Sequence, residues 1–517
     1  MLLLPESSSW ALHQLLWLLL CLPVSYWIIW VIYARTLHPL SNIPGPWFAS
    51  VSRLWIMWHT WKGDMDHVQR ALHQRHGTIV RIAPHECACS DPDAIKLIYK
   101  TQAPLEKTDF YPPWRGGLSK YPDHFTVTSE RLHSERRRIV NNIYSMSNVL
   151  QSERYIDECS KLFAIKLGEL ADQAKQVDLG EWLQWYAFDV IGELYFGQMF
   201  GFLQHSHDHA NYIASLDTLM PPLCLSAVAP SYMRPFILPL SMLSSTSRKA
   251  VGALGHIATA AKDCVARRCQ SDGPSQRRDM LHQLLDIMAS KGEKVDFGIH
   301  EVEQEAYTGL FAGSDTTAIA LRSVFYHLLR HPASYKRLQS ELSAAIAAIT
   351  IPTSGPIPYA SATQLPYLNA CIKEAMRLHP SVGFTMPRIA PTDGLHFKGP
   401  NGRPVVVPHG YRVGMNAAVV HRNADVFGAQ PAAFRPERWL DDAEHAKAMD
   451  RCMLHFGAGT RTCIGKNISL SELYKLVPQV LRDFDLSLAN PAAEWKTHNL
   501  WFNKQTGLVV NVRRRVV

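Results

Sequence analysis

The pattern of hydrophobic and polar positions predicts a mainly helical chain with short strands towards its carboxyl end. Between Ser129 and Leu342, apolar residues recur at the three- and four-residue spacing of amphipathic helices. The ranges 395–413 and 500–512 instead contain short alternating runs separated by turn residues, which is typical of β-strands. The expected fold class is therefore mainly α with small β-sheets.

The amino-terminal end has a different pattern. No formally charged side chain occurs from Trp10 to Tyr33, and this length of apolar chain is enough for a helix to cross a bilayer. Arg35 follows the run and no Lys or Arg precedes it, so the positive-inside tendency places the rest of the chain in the cytosol. We expect residues 1–35 to form a single-pass anchor in the endoplasmic reticulum membrane. A cleaved signal peptide is the alternative, because Pro23 interrupts the run.

A proline-rich segment, residues 36–46, follows the apolar run. Its prolines fix the backbone and prevent a helix from continuing, which predicts a stiff linker. From residue 47 to 517 no second stretch is rich enough in Gly, Ser or Pro to divide the chain. We therefore expect one large catalytic domain over residues 47–517.

Composition narrows the class of protein. Hydrophobic residues make up 47% of the chain and charged residues 19%, which is a globular composition. The net charge of +8 is small for 517 residues and the basic side chains are scattered, so nucleic-acid binding is not expected. Ten cysteines are too sparse for a disulfide framework and indicate a reducing compartment. A cysteine in an unusual local setting is therefore worth weighing.

Such a setting occurs in the cysteine loop, residues 456–465, which reads Phe-Gly-Ala-Gly-Thr-Arg-Thr-Cys-Ile-Gly. Its glycines are Gly457, Gly459 and Gly465. Glycines let the backbone approach a flat ligand, and amides near a helix start stabilise a thiolate, here that of Cys463. Arg461 would supply a positive charge for a carboxylate of that ligand. The alternative is a glycine turn with an inert buried cysteine.

A second candidate is the hexad from Ala312 to Thr317, which lies inside a long helical stretch. Gly313 costs about 1 kcal/mol relative to alanine in a helix, and neighbouring threonines compete for backbone hydrogen bonds. A locally opened helix is expected, with a groove for dioxygen and water. There Thr316 would donate a hydrogen bond and Asp315 would relay protons. The alternative is a simple helix irregularity.

Two further segments complete the set. Glu374 and Arg377 lie three positions apart and share a helix face, a pair that also occurs on many solvated helices. The segment 434–439, Phe-Arg-Pro-Glu-Arg-Trp, contributes Arg438. Along the chain, the helical stretch that contains the hexad comes first, followed by the Glu374–Arg377 pair, Arg438 and the cysteine loop. This order of segments resembles that of the cytochrome P-450 family. The expected fold is the cytochrome P-450 fold behind an N-terminal transmembrane helix.

The resemblance assigns roles to individual residues. Cys463 would be the axial thiolate ligand of haem b, with Phe456 packed beside it, and Asp315 and Thr316 would form the acid-alcohol pair. A buried charge network would consist of Glu374, Arg377 and Arg438, in which loss of any member is destabilising. Candidate contacts to the haem propionates are Arg137, His133 and Arg388. The family usually has Trp where this chain has His133, which leaves that role open.

The resemblance also suggests a substrate pocket. By position in the family, the candidate pocket residues are Trp114, Phe311, Gly313, Val382, Phe384, Thr385 and Phe502. These side chains are mostly apolar, which favours a lipophilic small-molecule substrate such as a terpenoid, polyketide, alkaloid or phenolic intermediate. Ordinary core packing is the alternative for each aromatic residue among them.

The implied reaction is monooxygenation, in which one atom of dioxygen enters a secondary-metabolite intermediate. The sequence contains neither a flavin- or nicotinamide-binding glycine fingerprint nor a ferredoxin cysteine set. Electrons would therefore come from NADPH through a separate NADPH-cytochrome P-450 reductase in the same lipid bilayer, with cytochrome b5 as an optional second donor. The runs 312–330, 415–423 and 434–439 look like those of fungal microsomal members of the pisatin demethylase-like type.

Two rival functions remain open. A haem-thiolate isomerase or dehydratase would rearrange its substrate without consuming dioxygen, and the Asp315-Thr316 pair argues against it. A membrane haem protein that senses a gas or lipid without catalysis would share the same cysteine loop.

Overall fold

The computed structural model describes residues 6–209, 211–270, 277–399 and 404–515, and it confirms the predicted mainly helical class with small sheets. The α-helices are α1 (Glu6–Thr36), α2 (Trp47–Val51), α3 (Leu54–Lys62), α4 (Met65–His76), α5 (Ile95–Ile98), α6 (Glu130–Val140), α7 (Met146–Val149), α8 (Glu153–Asp172), α9 (Leu179–Ile191), α10 (Phe202–His205), α11 (Tyr212–Val228), α12 (Arg234–Ser241), α13 (Ser245–Gln270), α14 (Met280–Val295), α15 (Ile299–Arg330), α16 (Pro332–Ala347), α17 (Tyr359–Ala362), α18 (Pro366–Leu378), α19 (Ala417–Val420), α20 (Ala424–Phe427), α21 (Ala443–Cys452) and α22 (Lys466–Asp483). The strands are β1 (Ile79–Ala83), β2 (Glu86–Cys89), β3 (Val177–Asp178), β4 (Arg388–Ile389), β5 (Leu395–Lys398), β6 (Pro404–Val407), β7 (Arg412–Gly414), β8 (Phe484–Leu488), β9 (Lys496–Leu500), β10 (Phe502–Thr506) and β11 (Val509–Arg514).

Helix α15 is the central element of the fold. It packs against α9, α13, α18 and α22, and twenty of its thirty-two residues are buried. Its first turn is capped where the Gly298 amide donates to the Glu301 carboxylate at 2.8 Å. The helix runs unbroken through the hexad, so the expected local opening does not occur. Packing on four neighbouring helices offsets the low helix propensity of Gly313 and the two threonines that follow.

The sheets are small and lie at the edges of the helical body. The largest has the strand order β1-β2-β7-β4, in which only β2 and β7 run parallel. A three-stranded sheet, β3-β11-β8, joins the carboxyl end to the start of α9. The pairs β5-β6 and β9-β10 are antiparallel hairpins. An isolated bridge from Val382 to Phe502 brings the segment after α18 next to β10.

The amino-terminal segment forms α1, and the proline-rich segment packs on the catalytic body. The Arg81 side chain of β1 is buried and donates to the Ala34 carbonyl at 2.8 Å and to the His38 ring at 3.1 Å. Within the residues that the structure describes, no helix combines the length and the apolar character needed to cross a membrane. The expected transmembrane helix is therefore not supported; residues 1–5 of the predicted anchor lie outside the described range.

Candidate active site

The cysteine loop is a tight turn between α21 and α22. The Cys463 amide donates to the Phe456 carbonyl at 2.7 Å, which closes the loop on itself. Gly457 and Gly459 have φ values of +70° and +67°, a conformation that side chains other than glycine rarely adopt. Gly465 precedes α22, so the thiol stands at the start of that helix.

Gly459 also has no room for a side chain. A Cβ atom there would lie 2.2 Å from the Tyr99 carbonyl oxygen, whereas one at Gly465 would meet no protein atom within 4 Å. Gly459→Ala therefore combines this clash with about 1–3 kcal/mol of backbone strain, and it should strongly reduce the haem-thiolate content per mole of protein. Gly355→Ala is the matched control and should retain that content, because Gly355 lies outside the cysteine loop, has a φ value of +75°, and leaves an added Cβ atom no neighbour within 4 Å. Carbon-monoxide difference spectra measure it, and equal spectra for the two variants would contradict the prediction.

A large cavity of about 1090 Å³ extends from the cysteine loop to α15. Many of the residues predicted from the sequence line it, namely Trp114, His133, Arg137, Phe311, Gly313, Thr316, Val382, Phe384, Phe456, Gly457, Arg461, Cys463, Gly465 and Phe502. Its walls are mostly apolar, and its volume lies at the upper end of the range for small-molecule sites. The cysteine loop and the hexad of α15 therefore line the same cavity.

Thr385, predicted to line the pocket, and Arg388, predicted to contact a propionate, are not part of the lining of the cavity. Thr385 belongs to an extended segment in which side chains alternate, so Phe384 and Met386 face the cavity and Thr385 faces away. Its hydroxyl group instead accepts a hydrogen bond from the Gln69 amide at 2.8 Å. The guanidinium of Arg388 donates to the Tyr111 hydroxyl at 2.8 Å. The pocket role expected for Thr385 is therefore wrong in this structure, and Arg388 is bonded away from the lining.

The Cys463 side chain is exposed to the cavity. Removal from bulk water raises the pKa of its thiol, whereas the backbone amides of Gly465 and Lys466 and the charge of Arg137 act to lower it. These donors favour the thiolate form that binds a metal. The pKa of the thiol is nevertheless raised on balance, so a bound metal would be needed to hold the sulfur as the thiolate.

Basic side chains collect at one side of the same cavity. Arg137 donates to the Thr462 carbonyl at 2.8 Å, and Arg461 forms a 2.5 Å ion pair with Glu130. Lys107, which the sequence analysis missed, is 5% exposed and donates to the Phe125 carbonyl at 2.6 Å. Burial and the charges of Arg388 and Arg461 lower the pKa of Lys107 well below its usual value.

An anionic group at this side of the cavity would restore the charge of Lys107 and meet several donors. This set of residues fits a haem, since Cys463 would supply a thiolate ligand to its iron and the basic side chains would meet its propionates. Glycines in the loop leave room for a flat macrocycle. The residues present therefore fit the cofactor that the family resemblance implies.

The polar groups of the hexad point in two directions. The Thr316 hydroxyl faces the cavity and donates to the Ala312 carbonyl at 2.7 Å. Asp315 is buried on the α9 side, where its carboxylate accepts a hydrogen bond from the Gln184 amide. Arg322 in turn donates to the Gln184 oxygen at 2.8 Å. Burial raises the pKa of Asp315, so a proton on this carboxyl group is easier to hold than in water.

The charge pair lies in the interior behind the cysteine loop. The Glu374 carboxylate, 0% exposed, accepts two hydrogen bonds from Arg377 at 2.8 Å and one from Arg438 at 2.9 Å. The Trp439 indole and the Arg435 amide donate to the same carboxylate at 2.9 Å. Side-chain and backbone donors to Glu374 together hold its pKa below the ordinary value, although burial acts to raise it. Five donors thus satisfy one buried anion.

A buried polar cluster on the cavity wall had no counterpart in the sequence analysis. Glu305 of α15 accepts a hydrogen bond from the Tyr144 hydroxyl at 2.7 Å and lies 2.9 Å from the His124 ring. All three residues line the cavity. They come from three distant segments and form no local motif, so only the folded structure brings them together.

Comparison with known proteins agrees with this geometry. Residues 44–511 match the model of the cytochrome P-450 family. The cytochrome P-450 monooxygenase gsfF of Penicillium aethiopicum is 47% identical over 95% of this chain and 96% of its own length. Pisatin demethylase of Fusarium vanettenii is 33% identical over 93% of this chain and 90% of its own length. The cytochrome P-450 monooxygenase cicH of Emericella nidulans is 34% identical over 94% of this chain and 96% of its own length. The chain therefore belongs to the cytochrome P-450 family of oxygen-incorporating haem-thiolate enzymes, and its relatives include fungal monooxygenases of the pisatin demethylase type.

Proposed function

We propose that this protein is a haem-thiolate monooxygenase that inserts one oxygen atom of dioxygen into a lipophilic small molecule. The observation that carries the proposal is the large apolar cavity, which has the Cys463 thiol on one wall and Thr316 on another. A reactive metal between them would face both a thiolate and a hydroxyl donor. Few other arrangements explain a cysteine that has backbone amide donors and an arginine charge beside its sulfur and opens into an apolar cavity.

Haem b would be held by Cys463, with Arg137, Arg461, His133 and Lys107 towards its propionates. When bound, the haem supplies the iron at which dioxygen is activated. The polypeptide excludes water from the cavity, orients the substrate and supplies protons. Arg388 would act indirectly, because its charge, together with burial, lowers the pKa of Lys107 and so favours the neutral amine.

Proton supply falls to the hexad. The Thr316 hydroxyl lines the cavity and would hold a proton there, since rotation about its side chain would redirect towards the cavity the proton that it now donates to the Ala312 carbonyl. Asp315 would pass a proton from the α9 side, where Gln184 holds its carboxylate in place. The raised pKa of Asp315 suits a group that both carries and releases a proton.

The substrate is proposed to be a lipophilic secondary metabolite. Several aromatic side chains line the cavity. Trp114 and Phe384 lie near Trp501. Phe311 lies near Phe502. The Glu305 cluster adds one polar wall that would hydrogen-bond a hydroxyl or carbonyl group. A mostly apolar molecule with a few oxygen functions matches these walls.

Electrons are proposed to come from NADPH through a membrane-bound NADPH-cytochrome P-450 reductase, with cytochrome b5 as a second donor. The proposed location is the cytosolic face of the endoplasmic reticulum membrane. Support comes from exposed apolar side chains on two helices, Trp58 and Trp61 of α3 and Phe236 and Leu240 of α12, each more than half exposed. Leu238 of the same α12 lines the cavity, so a lipophilic substrate would have a direct path inward.

Microsomes that contain the full chain and a reductase test the reaction and the location together. With candidate metabolites, NADPH and labelled dioxygen, we expect one labelled oxygen atom in the product and recovery of the chain in the washed membranes. Thr316→Val should lower product formed per NADPH about 10- to 100-fold, because proton delivery by a positioned group contributes at least this factor. Thr317→Val, at the neighbouring position, is the control and should keep the wild-type amount of product formed per NADPH.

The same experiment separates the rivals. Unlabelled product formed without NADPH would favour the haem-thiolate isomerase or dehydratase. Haem binding with no product from any metabolite class, at full reduction by the reductase, would favour a sensor. Either result would overturn the proposed monooxygenase.

A further inference from the structure

The carboxyl end of α18 is held by side chains from outside that helix. The last four carbonyls of a helix lack partners within it and must find donors elsewhere. Here the Met376 carbonyl faces the His455 ring at 3.3 Å, and the Arg377 carbonyl faces the His421 ring at 3.0 Å. The Leu378 carbonyl accepts from Arg422 at 2.8 Å. Two histidines therefore lie between the charge network and the segment that leads into the cysteine loop.

The tautomer of His421 follows from its two partners. The Leu454 amide donates to Nε2 at 2.7 Å, so Nε2 carries no proton. A carbonyl oxygen is acceptor only, so Nδ1 must carry the proton and donate to the Arg377 carbonyl. The ring is 0% exposed, and both bonds require the neutral imidazole.

These bonds connect the charge network to the cysteine loop. Arg377, which pairs with Glu374, donates through its guanidinium to the His421 carbonyl at 2.7 Å, so ring and backbone of His421 are both fixed by one arginine. On the other side, the Leu454 carbonyl accepts the Gly457 amide at 2.9 Å, and Phe456 accepts the Cys463 amide. His421 is thus the side chain through which α18 holds the entry to the loop.

We propose that His421 is a positioning residue that holds the cysteine loop in its ligand-presenting conformation, and that it does so only as the neutral imidazole. The inference rests on the proposed role of Cys463 as the iron ligand. Protonation of Nε2 would place two N–H groups face to face at Leu454 and break the connection. Acid should therefore release the loop before the rest of the fold opens.

The charged and titratable groups that face the ring are His455, Arg377 and Arg422, and burial together with these groups lowers the pKa of His421 well below its ordinary value. Because the folded-state pKa is depressed, the neutral form contributes stability that is fully present above about pH 6.5 and is lost as the pH falls below it. Burial also lowers the pKa of His455, to about 4.

The test uses the haem-loaded full chain and follows its thiolate ligation by the red-shifted Soret band of the reduced, carbon-monoxide-bound form. His421→Gln retains one donor and one acceptor without a titrating group, and His421→Leu removes both. His445→Gln is the matched control, because its ring bonds a carbonyl of α20 and has no contact to the loop. Lifetimes of the band are measured from pH 7.5 to pH 5.

We expect His421→Leu to shorten the lifetime on the order of tenfold at pH 7.5, as the loss of two buried hydrogen bonds implies. His421→Gln should keep the wild-type lifetime at pH 7.5 and decline less steeply in acid than the wild type or His445→Gln. A wild-type acid profile in His421→Gln, or a wild-type lifetime in His421→Leu, would overturn the inference. Should His421→Leu yield no holoprotein, the acid profiles of His421→Gln and wild type decide.

These measurements distinguish a failure of the proposed haem-thiolate function from a failure of the positioning role of His421. A wild-type protein without the red-shifted band at pH 7.5 would refute the proposed function. A normal band in the wild type, with His421 variants that behave like it, would refute only the positioning role.

Discussion

Replacement of Cys463 by serine is expected to abolish the red-shifted Soret band of the reduced, carbon-monoxide-bound protein and to lower monooxygenase turnover to background. A serine hydroxyl does not ionise near neutral pH, so neither the backbone amides of Gly465 and Lys466 nor the charge of Arg137 can make it an anionic ligand. The backbone of the loop should persist, because its closing bonds are made by main-chain groups. Difference spectra and product assays measure the two effects.

The control for this variant is Cys452→Ser. Cys452 is partly buried eleven residues upstream, at the end of α21, and burial raises the pKa of its thiol. This variant should keep both the band and the turnover. A Cys463→Ser protein with a full red-shifted band would move the iron ligand to another residue and remove the basis of the proposed function.

Replacement of Glu374 by alanine is expected to destabilise the fold by about 3–5 kcal/mol, the cost of leaving buried charges without their partner. Arg377 and Arg438 are 0% and 4% exposed, so water cannot take the place of the carboxylate. The free energy of unfolding and the retained haem are measured together in urea. Because the pKa of Glu374 is lowered in the folded state, the wild-type contribution is present above pH 4.5 and lost as the pH falls below it.

Arg435→Ala provides the comparison. The Arg435 side chain pairs with Asp441 at the surface, where both are more than half exposed, and only its backbone amide reaches Glu374. The expected loss is about 0–1 kcal/mol. Equal losses in the free energy of unfolding for Glu374→Ala and Arg435→Ala would contradict the stabilising role of the buried Glu374 carboxylate.

The cysteine loop could be predicted from the sequence because its parts are contiguous. Its glycines, Arg461 and Cys463 lie within ten residues, and their conformational demands are local. The buried polar clusters could not be predicted in this way. Lys107, the Glu305 cluster and the link from His421 to Leu454 depend on segments that meet only when the chain folds.

The direction in which a side chain points is the second property that the sequence alone does not predict. Asp315 and Thr316 are neighbours in sequence, yet a helix turns about 100° per residue, so one faces α9 and the other the cavity. Thr385 faces away from the cavity by the same kind of alternation in an extended segment. The apolar run at the amino terminus predicts a membrane-spanning helix from its hydropathy alone. No helix among the described residues, however, is both long and apolar enough to cross a membrane.

Helix α12 has a kinetic consequence for substrate choice. Its outward side chains Phe236 and Leu240 are exposed, while Leu238, Pro239 and, just beyond, Met242 border the cavity. A molecule that enters past this helix is drawn from whichever phase the outer side chains touch. If that phase is lipid, the concentration that the enzyme experiences is set by the partition coefficient of the metabolite. Apparent Michaelis constants would then scale with the amount of lipid in the assay, and ranking of substrates would begin before any of them meets the cavity wall.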